Sequence, residues 1–150
     1  MSTRDAALPV SPEVAEPTGV QPSDAANLVL VCASSSAPGT QQAKHVFTSA
    51  NGGMAWQNGV AAPDLGLATS VAATPSGTSV LATTRGIDVQ PPGSAAWQAA
   101  TLNGPAPAGG FGYAGMTTDT QGVALPADPA AGTVWFTFDG AKTWAPYRVS

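Results

Sequence analysis

From Asn27 onward, short apolar runs alternate with clusters of Gly, Pro, Asn, Asp and Ser. The runs are "NLVLVCAS", "AKHVFTS", "MAWQNGV", "LATSVAAT", "TSVLATT", "GIDVQ", "AAWQAATL", "FGYAGMTT", "GVALPA", "TVWFTFD" and "TWAPYRV". Each has strand length and is rich in β-branched, aromatic or alternating residues, and the segments between them carry turn chemistry. No apolar stripe with helical spacing persists for three turns without a Gly or Pro. The pattern predicts an all-β chain. Residues 1–26 have a different texture, with four prolines, the only two glutamates and no sustained periodicity. They read as a linker or extended N-terminal arm, in which Ala7-Leu8-Pro9-Val10 is the one segment suited to an edge strand.

The strands repeat. Trp56, Trp97 and Trp144 each follow a turn and lie 41 and 47 residues apart. Before Trp97 and Trp144 comes the same succession of three strands and a tight turn, and before Trp56 come the last two strands of such a set. A period of this length with four short strands per unit is the signature of a β-propeller blade. A lone four-stranded sheet leaves a face uncovered, so such units stack. The prediction is a β-propeller of four-stranded blades, about three in this chain, bounded near 27–62, 63–104 and 105–150. Residues 27–62 supply only the last three strands of their blade. Since closed propellers use about four to eight blades, the ring is completed either by further blades of a longer chain or by association of copies as a homo-oligomer.

The turn before Trp144 reads "TFDGAKTW", and it resembles the Asp-box, or bacterial neuraminidase repeat, of pattern S/T-x-D-x-G-x-T-W. Thr137, Asp139, Thr143 and Trp144 match, and Ala141 stands where the pattern has Gly. "SANGGMAW" is a second copy: Ser49, Gly53 and Trp56 match, Asn51 replaces the Asp and Ala55 the Thr. "QPPGSAAW" keeps Trp97 and a displaced Gly. Apart from any resemblance, Asp139-Gly140 and Asn51-Gly52 are strong hairpin signals, because both residues of each pair tolerate positive φ. Their side chains also accept hydrogen bonds from backbone N–H groups further round the turn. The resemblance implies that the box joins the third and fourth strands of a blade, away from the ligand-binding face. Asp139 therefore reads as a turn staple rather than a catalytic acid.

Composition then removes functional classes. Five basic residues in 150, with a net charge of −4, make no positive stripe for nucleic acid. No apolar run approaches the length of a membrane-spanning helix. The first residues, "MSTRDAALPVSPEV", lack the apolar core of a signal peptide, while an extracytoplasmic or secreted setting is the expectation. Cys32, the single cysteine, sits among Leu30, Val31 and Ala33 and reads as a small buried hydrophobe. His45, the single histidine, reads as a strand residue facing solvent or a neighbouring loop.

Asp-box propellers include sialidases, which gather three arginines, a Tyr–Glu pair and an acidic Asp. Here the arginines are Arg4, Arg85 and Arg148, both glutamates (Glu13 and Glu16) lie in the arm, and no catalytic residue is assigned. Asp64, Asp119 and Asp128 fall in links and turns, where Asp is common for local reasons. Arg85-Gly86-Ile87-Asp88 is the most charged spot of the second repeat, which makes Arg85 and Asp88 the candidate binding residues. No metal site or cofactor is predicted. The expected function is a non-catalytic binding or scaffold module contacting carbohydrate or protein through blade loops. The alternative is a fragment of a sialidase-like glycoside hydrolase whose catalytic residues lie mostly outside this chain.

Overall fold

The structure is a computed structural model that describes residues 16–22, 28–33, 42–57, 60–94 and 96–149. Among these the regular elements are strands, with one 3-10 turn at Pro129–Ala131. The first sheet is an antiparallel meander of β1 (Glu16–Pro22), β2 (Leu28–Ala33), β3 (Lys44–Ser49) and β4 (Val60–Ala62). The second repeats it with β5 (Ala68–Ala73), β6 (Ser79–Thr83), β7 (Ile87–Gln90) and β8 (Gln98–Ala99). After β9 (Thr101–Leu102), the third sheet runs through β10 (Phe111–Met116), β11 (Gly122–Pro126), β12 (Thr133–Thr137) and β13 (Thr143–Arg148). β9 joins this third sheet beside β13, in parallel.

Period-two alternation gives each sheet two faces, and packing decides where they point. Val71 and Leu81 of the second sheet join Val29, Val31, Val46 and Ala62 of the first in one buried cluster. Ala72, Val80, Ala82, Ile87 and Val89 point the other way and join Phe111, Ala114, Ala124, Trp135 and Trp144 of the third. The second sheet is thus covered on both sides. The first strands of successive sheets are neighbours, β1 against β5 and β5 against β10. That contact orders the sheets about an axis lined by their first strands, as in a propeller.

Polar contacts secure the blade junctions. The Thr69 hydroxyl donates to the Phe111 carbonyl at 2.6 Å, and the Ala114 N–H donates to the Ser70 hydroxyl at 3.0 Å. Gly110 brings the two backbones together: it has φ +72, and a Cβ there would stand 2.2 Å from the Thr84 carbonyl carbon.

The expected all-β architecture of four-stranded blades is present, with three differences in the strand assignments. "MAWQNGV" was expected as a strand, but residues 54–57 still belong to the turn and irregular backbone after β3, and the fourth strand, β4, begins only at Val60. Glu16–Pro22 lies inside the stretch read as an arm, yet it pairs along β2 as the innermost strand of the first blade. Its prolines lack N–H donors, which an edge strand tolerates, and a register shift falls between Pro17 and Gly19. "AAWQAATL" was expected as one strand. It divides into β8, which pairs with β7, and β9, which crosses to the third sheet. The segment Ala7–Val10, with Arg4 and Glu13, lies outside the described residues.

Candidate functional site

Two of the three tryptophan turns are built alike. In the turn after β12, the Thr137 hydroxyl donates to Asp139 Oδ1 at 3.0 Å and accepts from the Ala141 N–H at 3.0 Å. Asp139 Oδ1 also accepts from the Thr143 N–H at 2.9 Å, and Trp144 Nε1 donates to the Ala141 carbonyl at 2.8 Å. In the turn after β3, the Ser49 hydroxyl donates to Asn51 Oδ1 at 3.0 Å and accepts from the Gly53 N–H at 2.9 Å. Asn51 Oδ1 accepts from the Ala55 N–H at 2.9 Å, and Trp56 Nε1 donates to the Gly53 carbonyl at 3.1 Å. Every bond has its counterpart 88 positions along the chain.

The backbone follows the same path. Gly52 and Gly140 have φ +73 and +77, and Gly53 and Ala141 have φ +91 and +73. Ala141, the departure from the repeat pattern, is the one non-glycine residue among those described that is held at positive φ. An alanine in that region costs about 1–2 kcal/mol, and its full burial against the blade core offsets part of this. At Asp139, partial desolvation works to raise the carboxyl pKa, but hydrogen bonds from Thr143 and Thr137 outweigh it and hold the group below the usual carboxylate range. Its acceptor capacity is taken up by the turn itself.

The middle turn, Gln90–Trp97, retains the backbone signal only at Gly93, with φ +74. Pro92 stands where Asn51 and Asp139 accept their bonds and has no side-chain acceptor. Trp97 Nε1 is buried with no partner among the described residues. All three indoles still occupy the same face of their own blade. Trp97 packs on the cluster between the first and second sheets, and Trp144 lies within the one between the second and third. Trp56 packs on Leu30, Cys32 and Phe47, on the far side of the first sheet.

Because the strands are antiparallel, these turns share one end of the blades with the loops joining first and second strands. The loops joining second and third strands lie at the opposite end, with the links between blades. Arg85 and Asp88 are at that opposite end. The Thr83 hydroxyl shapes their loop by accepting from the N–H groups of Arg85 and Gly86, both at 3.1 Å. Both candidate residues line one open cavity of about 280 Å³, together with Pro63, Leu65, Ile87 and Leu102. Arg85 is exposed. Burial pushes the Asp88 carboxyl above the usual range, and the nearby Lys44 charge pulls it back.

Lys44 is a group that sequence reasoning passed over. It is fully buried at the first blade junction, where its Nζ donates to the carbonyls of Gly66 at 2.7 Å and Gln42 at 3.0 Å. Burial lowers its pKa, against the pull of Asp88 and Asp64. The only forecast of its burial was alternation, since Lys44 shares a strand face with Val46.

The remaining candidates are accounted for locally. A larger cavity of about 470 Å³ opens at the turn end between the second and third blades, lined in part by Asp119 and Asp139. Asp119 accepts from the Ser76 N–H at 2.8 Å, which ties two neighbouring blades, and Asp128 caps the 3-10 turn through the Ala130 N–H at 2.9 Å. Cys32 lies directly across the sheet from His45. Burial pushes the thiol pKa up, so this proximity does not create a thiolate. His45 is half-buried, with Nδ1 enclosed and without a hydrogen-bond partner among the described residues. Among the described residues, no group of three or more His, Cys, Asp or Glu is placed to hold a metal ion.

No protein-family model matches the chain, and no curated protein sequence does either. Solved structures do match. The GH74 xyloglucanase from Xanthomonas campestris superposes with a TM-score of 0.51 at 16% identity, over 80% of this chain and 18% of that one. YCF48 bound to a D1 peptide covers 92% of this chain and 56% of its own at 15% identity, with a TM-score of 0.48. YCF48 from Cyanidioschyzon merolae covers 93% and 59% at 16% identity, with a TM-score of 0.36. The fold is a β-propeller, represented by three blades. The chain spans about a fifth of the xyloglucanase and a little over half of the YCF48 proteins.

Proposed function

We propose that the Ser49–Trp56 and Thr137–Trp144 turns are Asp-box repeats, and that the chain is a non-catalytic binding or scaffold module. Its contact surface is the loop end opposite those turns, and its ligand is a peptide segment of a partner protein. One observation carries this reading: Arg85 and Asp88 converge with Pro63 and Leu65 of the first blade link on a single open cavity. Convergent polar groups set in an apolar concavity are the usual makings of a binding site. The walls favour a peptide over a sugar, because they are aliphatic and no aromatic ring lines them for a sugar to stack on. A guanidinium and a carboxylate on such walls suit an apolar side chain flanked by charged or polar groups.

The test is a screen of the labelled chain against arrayed peptides and arrayed glycans, followed by affinity measurements on the hits. Arg85→Ala and Asp88→Asn should each weaken peptide binding about tenfold, equivalent to about 1.4 kcal/mol. The reading fails if the hits are glycans only, or if both variants bind as the parent does.

A further inference from the structure

Between the first two blades, at the loop end, a charged side chain is buried in a place that alternation reserves for an apolar one. Lys44 opens β3, points with Val46 into the junction and is 1% exposed. Residues directly opposite each other in a sheet project from the same side. Ala62, opposite Lys44, belongs to the cluster that fills this junction. Leu81, opposite Asp88 in the second sheet, belongs to it as well. Lys44 and Asp88 therefore face each other from the two sides of one blade junction.

The link that joins these blades is bonded to the ammonium. Lys44 Nζ donates to the Gly66 carbonyl at 2.7 Å and to the Gln42 carbonyl at 3.0 Å. Two further bonds tie the link to the first blade. The Gln42 N–H donates to the Asp64 carbonyl at 2.8 Å, and the Ala68 N–H donates to Gln42 Oε1 at 2.8 Å. Its other side is held by the second blade. The Leu67 N–H donates to the Thr84 hydroxyl at 2.9 Å, and the Thr84 N–H donates to the Leu67 carbonyl at 3.0 Å. Gly66 has φ +86, and a Cβ there would stand 2.6 Å from the Thr83 hydroxyl, the group that shapes the Arg85–Gly86 loop. Pro63 and Leu65, the link residues that wall the loop-end cavity, thus belong to a segment fastened to both blades, with the ammonium as its charged anchor.

We propose that Lys44 positions the loop-end cavity: it fastens the link wall of Pro63 and Leu65 to the first blade and presents a buried cation to Asp88 on the opposite wall. This role rests on that cavity being the binding site. Charge is what selects lysine at this position. Burying an ammonium is costly, and an aliphatic side chain of similar volume commonly serves stability as well or better. What such a chain lacks is a donor for the link carbonyl and a charge to set against the carboxylate. Asp88 and Asp64 are the charged groups whose fields reach Lys44. Arg85, whose Cγ lies against Gly66, is the exposed cation of the same cavity. Burial raises the Asp88 carboxyl and Lys44 draws it back, so the carboxylate offered to a ligand depends on the cation behind it.

The test is the carboxyl titration of Asp88, followed by carbon-13 NMR in the whole chain and in Lys44→Met. The expected result is a midpoint higher by at least about half a pH unit in the variant, because an opposite charge has been removed. Amide exchange at Leu67 and Ala68 should quicken about tenfold as the link loosens, while that of Ala124 in the third blade stays as in the parent. Lys142→Met, at an exposed lysine, should change neither. Should Lys44→Met fail to fold, Asp88→Asn reads the same coupling from the other side: the Lys44 Cε titration midpoint should fall by about the same amount. An Asp88 midpoint that stays in place in folded Lys44→Met overturns the proposal. So does unchanged exchange at Leu67 and Ala68, or an unmoved Lys44 midpoint in Asp88→Asn. No ligand enters these measurements, so their failure is distinguishable from failure of the peptide screen.

Discussion

At the scale of single residues, the turn network makes unequal demands on the three indoles. Trp144 is fully buried and its Nε1 is bonded, whereas Trp97 Nε1 is not. Trp144→Phe should lower stability by about 2 kcal/mol, and Trp97→Phe by about 1 kcal/mol less, because only the first loses a hydrogen bond. Urea denaturation of the two variants checks the difference. Position 53 and position 141 give a second contrast. Gly53→Ala should cost about 1–2 kcal/mol through its positive φ. Ala141→Gly should stay within about 0.5 kcal/mol of the parent, because relief of the same strain is balanced by a lost buried methyl and a more flexible unfolded chain.

Asp139 sets an acid limit on the third blade. Its folded pKa lies below the ordinary carboxylate value, so its contribution is complete above the unfolded pKa and is lost as pH falls through the folded one. Asp139→Asn keeps the acceptor oxygen, as Asn51 does naturally in the first blade. That variant should show a flatter stability profile between about pH 4 and pH 2, measured by denaturation across that range. The turn chemistry was legible in the sequence because it is local. The pairing of Arg85 and Asp88 with Pro63 and Leu65 was legible only in part, since two of the four come from a link whose position depends on packing.

At the scale of elements, alternation located β2, β3, β5, β6, β7 and β10 to β13 closely, because each buries at least one face in a cluster that selects its period. β1 escaped notice for the opposite reason. "EPTGVQP" has no alternating apolar face, and its pairing is supplied by the ready-made edge of β2. β9 was missed as a separate strand because two residues carry no periodicity, and its partner is β13, 42 residues later. The junctions between elements depend on close approach. Gly110→Ala would drive a methyl into the backbone of Thr84, and the expected loss of more than about 3 kcal/mol would appear as a lower thermal midpoint. Loss of near-ultraviolet signal from Trp144 and Trp135, which pack at that junction, should accompany it.

At the scale of the whole molecule, what matters is the radial order of three blades. The recurrence of Trp56, Trp97 and Trp144 at intervals of 41 and 47 residues reflects equivalent placement, each ring on the same face of its own sheet. The repeat pattern foresaw this even where the middle turn has lost its hydrogen bonds, because the ring's apolar burial survives without them. The most direct test of the radial order is a methyl-resolved NOE spectrum read from the three indole rings. Contacts are expected from Trp144 to methyls of Val80, Ile87 or Val89 in the second blade, and from Trp97 to Val29, Val31 or Val46 in the first. Indoles that contact only methyls of their own sheet, or two of them meeting across a pair of face-to-face sheets, would contradict the propeller.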